Sequence, residues 1–274
     1  HIDGVGRMEP KNDASLWLIR HFREFADDSA RLHRLMRLTI SGISALTTMP
    51  RLAEVIARLE NRYGIGASED SFMRDAEADA ELAQLEVNEG FPITLSQFLV
   101  DIWGLLEAFI RKLLTLSLEH MGAMRFERVA KLKIKVGDYD QLVGAERFYY
   151  VVKVLEREEA SSTKVGVDRF ESLLACVKLD GPLPSSLKKA LYELSQLRNC
   201  IVHNARRVDL QLVLACPWLA LSAGQMISPG HERATRLSKA VRDYSILAVA
   251  RASARYGDPM QNAVDEVFKD WSAV

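Results

Sequence analysis

The chain has 274 residues, of which 48% are hydrophobic, and its formal net charge is −1. This length and apolar content can bury one large core or two small ones, and the near-neutral charge excludes a general electrostatic attraction to nucleic acid or to an anionic membrane. No uninterrupted apolar run reaches the roughly 18 residues that would span a membrane. The three cysteines, Cys176, Cys200 and Cys216, are too few for a disulfide framework and predict buried thiols in a reducing compartment. We therefore expect a soluble cytoplasmic protein without a membrane partner.

The N-terminal part of the chain is predicted to be helical. The opening HIDGVGRMEP lacks the apolar stretch of a signal peptide, and we expect Met8 to be the native start, with residues 1–7 a remnant of protein expression. From residue 8 to residue 70, apolar residues recur at three- and four-residue steps. The clearest case is PRLAEVIARLENRY, residues 50–63, which begins with a proline and stops before a glycine. Its apolar residues form one stripe: Leu52, Val55, Ile56 and Leu59.

A mostly polar interval near residue 70 suggests a boundary. We divide the chain into an N-terminal helical region, 8–70, a main helical domain, 71–257, and a tail helix, 258–274. Within the main domain, LSQFLVDIWGLLEAFIRKLLTLSLE, residues 95–119, is predicted to be a long helix. Its apolar face is broad enough to pack on more than one side. Further amphipathic segments follow with short connections. The pattern predicts an all-α helical bundle.

The segment LRNCIVHNARRVD, residues 197–209, places polar side chains in an otherwise apolar stretch. Arg198, Asn199 and His203 have the spacing R-N-x-x-x-H. Two interpretations are open at this point. The polar groups satisfy one another inside a helical bundle, which is common for buried His and Arg, or they face a cleft and act on a ligand.

Helix geometry separates the three side chains of the motif. At about 100° per residue, Asn199 and His203 lie about 40° apart on one face, whereas Arg198 and His203 lie about 140° apart. A bent helix or a partner subunit is needed to bring Arg198 and His203 together. Two copies of the motif, with Arg206 and Arg207 nearby, would also form the basic patch that the overall charge does not provide.

The three residue types suit RNA cleavage through the 2′-hydroxyl. A histidine titrates near neutrality, with a reference pKa of about 6.5, and can serve as general base or acid. An arginine is permanently charged and binds phosphate oxygens with two donors, and an asparagine can orient either group. No metal-ligand set is visible in the sequence, and the product would carry a 2′,3′-cyclic phosphate and a 5′-hydroxyl end.

The motif and its surroundings resemble the HEPN superfamily (higher eukaryotes and prokaryotes nucleotide-binding). RNCIVH matches the R-N-x-x-x-H signature, LLEAFIRKLL lies upstream, and a segment of the type RFESLLACVKLDGPLPSSLKKALYELSQLRN leads into the motif. RRVD, a Cys-Pro step, GQMI and a closing helix follow it. The resemblance covers about residues 71–257, and the chain is similar there to the larger bacterial HEPN proteins of phage-defence and toxin systems.

The resemblance implies a HEPN-like fold and a metal-independent endoribonuclease that needs no cofactor and works as a homodimer on RNA. In that family the Arg, the following polar residue and the His of the signature form a cleft shared by two protomers, which maps the site onto Arg198, Asn199 and His203. A subgroup carries a Tyr two residues after the His, where a nucleotidyltransferase antitoxin modifies it. The residue here is Ala205, which argues against that partner, although another antitoxin or regulatory protein stays open. The alternative is a non-catalytic HEPN module that binds RNA, a nucleotide or a protein partner. A third possibility is a regulator whose N-terminal helices carry the specificity.

Two carboxylates of the long helix are candidates for supporting roles. Glu107 lies among apolar residues and is a candidate to pair with Arg198 or to orient His203; an exposed position on the helix rim is the alternative. Asp101 is a weaker candidate for the same role.

The most basic run of the chain is RFERVAKLKIK, residues 125–135, with five Lys or Arg among eleven residues. Arg125, Arg128 and Lys131 are candidates to guide a phosphate backbone. The alternative is a solvated helix face without a nucleic-acid ligand.

Overall fold

The computed structural model describes residues 16–63, 69–160 and 165–272. Met8 and the expected expression remnant, residues 1–7, lie outside the described residues. Within the described ranges the secondary structure is helical, with one isolated antiparallel β-bridge and no strand, which confirms the all-α prediction. The helices are α1 (Leu16–Leu46), α2 (Met49–Tyr63), α3 (Glu69–Asn88), α4 (Pro92–Met121), α5 (Glu127–Ala130), α6 (Val136–Asp140), α7 (Ala145–Ala160), α8 (Val167–Ala175), α9 (Ser185–His203), α10 (Leu210–Ala215), α11 (His231–Ala254) and α12 (Gln261–Ser272).

The long helix predicted from the sequence is the centre of the fold. α4 begins with Pro92 in its first turn, where a missing N–H costs nothing. It is followed directly by Gly122, whose φ of 84° suits glycine. α1, α7, α9 and α11 pack around it, so its apolar residues are buried on several sides. By length and composition alone, α4 is the one described helix that could cross a membrane, and half of its most apolar stretch is buried inside the protein. This combination is typical of a core helix.

α1 belongs to the same core as α4. Leu18, Phe22 and Phe25 are buried in it, and the buried His21 donates from Nε2 to the carbonyl oxygen of Phe109 on α4 at 3.0 Å. The expected boundary at residue 70 falls in the first turn of α3, and the described helices on its two sides share packing contacts. Helices from both sides of residue 70 thus contribute to the same core.

The tail helix is attached to the bundle by a buried polar contact. α12 packs on α9 and α11, and the indole nitrogen of Trp271 donates to the carboxylate of Asp243 at 2.8 Å. Asp243 is 2% exposed and also pairs with Lys239 at 2.6 Å. A buried carboxylate needs such partners because an isolated charge in the core is very costly. The contact holds α12 beside the two helices that position the motif.

Candidate active site

The motif lies at the C-terminal end of α9, and the apolar pattern of that helix decides how it faces. Four leucines spaced by three or four residues are fully buried and hold one side of α9 against α4 and α11. They are Leu187, Leu191, Leu194 and Leu197. The last turn of the helix therefore presents its polar residues outward, with Asn199 and His203 exposed and Arg198 half-buried.

An open groove of about 300 Å³ lies beside this last turn. Its lining residues are mostly polar: Gln196, Asn199, Cys200, His203, Asn204, Asp209, Gln211 and Leu212. Asn199 and His203 share the groove, as their small angular separation on the helix predicts, whereas Arg198 does not line it. Arg198 instead donates from Nη1 to Oδ1 of Asn199 at 3.2 Å.

The imidazole of His203 is accessible rather than sealed in the core. The residue is exposed, and within the part of the chain that the structure describes its side chain makes no hydrogen bond or ion pair. The interpretation in which Arg198, Asn199 and His203 satisfy one another inside the bundle is therefore wrong for His203. Only Arg198 and Asn199 bond to each other, and they do so at the surface.

The turn after His203 has an unusual backbone. Ala205 and Arg206 both have positive φ, 48° and 64°, a region that costs a non-glycine residue roughly 1–2 kcal/mol. The turn is held by a hydrogen bond from the side chain of Asn204 to Asp209 and by a bridge between Arg207 and Met226. Such strain persists only where the surroundings enforce it.

Asp209 is a groove residue that the sequence pattern could have identified. Its Oδ1 accepts from the backbone N–H of Leu212 at 2.7 Å, which makes it the N-cap of α10. An Asp directly before the apolar run LQLVLA is a helix-start signal that was available in the sequence. Gln196, Asn204 and Gln211 carried no comparable signal, because only the packing of α10 on α9 places them in the groove.

The two supporting carboxylates do not reach the motif within one chain. Glu107 is half-buried and accepts from the indole nitrogen of Trp103 on its own helix at 3.0 Å. Among the described residues no ion pair within 4.0 Å joins Glu107 to Arg198, and Glu107 does not line the groove of His203. Asp101 is exposed and accepts from Gln97, also on α4. Within the described part of the protomer, no hydrogen bond or ion pair joins Glu107 or Asp101 to the motif.

The basic run is broken into short pieces rather than forming one helix face. Arg125 lies in a single 3₁₀ turn, Arg128 in α5, and the chain from Leu132 to Lys135 is non-helical. Arg128 pairs with the buried carboxylate of Glu159, and Lys131 pairs with a neighbouring Glu on the helix surface. Arg125 lines a separate groove of about 290 Å³ at the C-terminal end of α4. The run therefore does not extend the groove of the motif.

Apolar surface adjoins the motif. Val202, Leu210 and Leu214 are 47%, 65% and 73% exposed, and a wide depression of about 570 Å³ between α9 and α10 shares Gln196 and Gln211 with the motif groove. In the turn after His203, Arg206 is half-buried and Arg207 is exposed. An exposed apolar area next to a polar groove is typical of an interaction surface.

Comparisons with known proteins do not assign this site. No family model matches the chain, and neither curated proteins nor solved structures show a significant match. Within the described residues, no group of three or more His, Cys, Asp or Glu side chains is arranged to hold a metal ion. The candidate site therefore depends on the geometry and chemistry of its own residues.

Proposed function

We propose that the protein is a HEPN-type, metal-independent endoribonuclease that acts as a homodimer in the cytoplasm, in a toxin or phage-defence role. The observation that carries the proposal is the exposed His203, which shares an open polar groove with Asn199 at the end of α9. A structural histidine of a helical core would be buried and bonded. The toxin or defence role follows from the resemblance of the R-N-x-x-x-H segment.

Each residue has a defined task in the proposed reaction. The imidazole of His203 takes the proton of the 2′-hydroxyl, whose oxygen attacks phosphorus to form the cyclic phosphate, and the bond from phosphorus to the 5′-oxygen breaks. The leaving oxygen takes a proton from a protonated imidazole or from water. Arg198 binds the phosphate oxygens through donors that its bond to Asn199 leaves free, and Asn199 orients the arginine.

A second copy would complete the site. Arg198 does not line the groove that holds His203, and the two residues lie about 140° apart around the helix. The exposed Leu210 and Leu214 of α10 offer apolar surface beside the groove, and burying such surface is the main driving force of association. A two-fold axis near α10 would place the arginine of one chain against the histidine of the other and would bring two copies of Arg207 together.

The direct test is cleavage of total RNA by the pure protein in EDTA. Cleavage is expected to persist with the chelator and to fall at least about 100-fold in Arg198→Ala and in His203→Ala, a typical loss for removal of a catalytic group. His231→Ala, which removes another exposed histidine, serves as the matched control, and circular dichroism checks that each variant folds. Cleavage that needs a metal, or that survives His203→Ala, contradicts the proposal.

Mixing the two inactive variants tests the shared site. A heterodimer of Arg198→Ala and His203→Ala chains keeps one site with both residues intact, so an equal mixture should regain about a quarter of the native activity if the interface is symmetric. Mass spectrometry of the mixture confirms that heterodimers form. An absence of cleavage in the native protein under all conditions, together with RNA or nucleotide binding that survives His203→Ala, favours the non-catalytic alternative.

A further inference from the structure

The apolar stripe that the sequence shows on α2 is not covered in the protomer. Five large apolar side chains on this helix are between 39% and 71% exposed. They are Leu52, Val55, Ile56, Leu59 and Tyr63. Because they recur at positions i, i+3, i+4, i+7 and i+11, they lie on one face. A continuous exposed apolar face of this kind marks an interaction surface rather than scattered surface residues.

The stripe of α2 stays exposed although α2 packs on α3. The one buried residue among the described side chains of α2 is Ala53, 2% exposed, which lies about 100° around the helix from Leu52. α3 likewise buries alanines at helical spacing, Ala76, Ala80 and Ala83. The packing of α3 on α1 and α2 therefore leaves the large apolar residues of α2 uncovered.

α3 has an apolar face of its own that points to solvent. Leu82 and Leu85 are 60% and 58% exposed, and with the exposed Ala78 they lie roughly opposite the buried alanines of the helix. Acidic side chains border this face on both sides, and all of them are exposed. They are Asp75 and Asp79 on one side and Glu77 and Glu81 on the other.

The stripe of α2 is bordered by the opposite charge. Arg51, Arg58 and Arg62 are exposed and fall along one edge of the stripe, since they are seven and four residues apart. Arg58 pairs with Glu54 at 3.3 Å, but both side chains are more than half exposed, at 80% and 57%. Such a surface pair is weak and can exchange partners. An apolar stripe with a basic edge therefore matches an apolar face with acidic edges.

We propose that α2 of one copy packs its apolar stripe against the Leu82–Leu85 face of α3 in a second copy, with the arginine edge of α2 beside the acidic edge of α3. In a two-fold dimer the same contact forms twice, since each copy supplies one α2 and one α3. The inference is independent of the nuclease proposal. α2 has 15 residues and is about 22 Å long, so two such helix contacts make a small interface, and the association is reversible and concentration-dependent.

Sedimentation of the full chain over a concentration series tests the association. Leu59→Glu and Leu82→Glu each place a charge in the contact and should weaken it at least tenfold without lowering the melting temperature, because both leucines are exposed in the protomer. Met124→Glu is the matched control. Met124 is 78% exposed and follows the C-terminal end of α4, whereas α3 precedes its N-terminal end. Measuring Leu59→Glu and Leu82→Glu again in a chain that also carries Leu214→Glu separates this association from one through the apolar surface beside the motif. An unchanged mass distribution in both variants overturns the proposal.

Cross-linking with a short bismaleimide tests which helix meets which. The native cysteines are buried, so the reagent acts at introduced thiols. A mixture of the Ile56→Cys and Leu82→Cys proteins should give a cross-linked dimer that neither variant gives alone. Efficient cross-linking of Ile56→Cys with itself indicates α2–α2 pairing and overturns the proposal, as does a mixture that gives no dimer.

Discussion

The indole nitrogen of Trp218 donates a hydrogen bond to the carboxylate of Glu193 at 2.9 Å, and this bond ties the segment after α10 to the helix that carries the motif. Glu193 is only 2% exposed and also accepts from Arg236 at 2.6 Å, with Arg233 at 3.5 Å. A single buried carboxylate thus joins α9, α11 and the chain beyond α10. α10, which lines the motif groove, packs on α9 and on the turn that carries Trp218.

Replacing Glu193 with Ala should destabilise the protein by about 2–3 kcal/mol. The estimate lies below the usual cost of breaking a buried ion pair because both arginines are about one-third exposed and can be solvated. Urea unfolding followed by tryptophan fluorescence measures the loss. Glu232→Ala, at an exposed position of α11, should change stability by less than about 0.5 kcal/mol. Equal effects of the two substitutions contradict the assigned role of Glu193.

His21 should make folding sensitive to mild acid. Desolvation by burial lowers the pKa of His21 from 6.5 to about 4, so the unfolded chain takes up a proton between these values that the folded protein does not. The free energy of unfolding is then unaffected above pH 6.5 and falls by about 3 kcal/mol as the pH drops from 6.5 to about 4. The measurement is urea unfolding of the native protein and of His21→Leu at several pH values. The variant should lack this component of the pH dependence, while His231→Gln retains it, and parallel curves for the native protein and His21→Leu contradict the prediction.

Ala205 should tolerate glycine but not a β-branched residue. Its φ of 48° lies in the left-handed region, where valine is strained by about 1–2 kcal/mol more than glycine. Ala205 is exposed, so packing does not complicate the comparison. Thermal unfolding should place Ala205→Gly within about 0.5 kcal/mol of the native protein, because relief of strain and added chain entropy offset each other. A stable Ala205→Val variant indicates that the turn adopts another conformation.

The three cysteines should be unreactive in the folded protein. All are buried, and desolvation raises the pKa of each thiol, that of Cys216 to about 12. Because the thiolate is the reactive form, Ellman's reagent at neutral pH should label none of them within minutes and all three in denaturant. Rapid labelling of Cys200 in the native state would show that the end of α9 opens. The labelled residue is identified as Cys200 if the labelling is lost in a Cys200→Ala variant.

The helices themselves were predictable because their signals are local. The central helix is apolar over most of its circumference, and the structure buries it on several sides, as the pattern requires. The 40° separation of Asn199 and His203 likewise follows from helix geometry alone, and the two residues share one groove. Asp209 belonged to the same predictable class, as an N-cap in front of an apolar run.

Other features depended on which helix lies beside which. Glu107 is bonded to Trp103 rather than to Arg198, and it does not line the groove of the motif. The stripe on α2 has the same periodicity as a core-facing helix, yet it is exposed although α2 packs on α3. Amphipathic spacing shows that a face is suited to burial, but it does not identify the surface that buries it.

The amino-acid sequence by itself determined the all-helical class, the position of the central helix and the angular order of Arg198, Asn199 and His203 on one helix. Only the tertiary structure decided that His203 opens into a polar groove and that Arg198 lies outside it, and only it showed that the apolar face of α2 is uncovered. The physical reason is the range of the interactions. Helix periodicity and capping act within about one or two turns, whereas burial of a side chain depends on contacts between segments that are far apart in the chain.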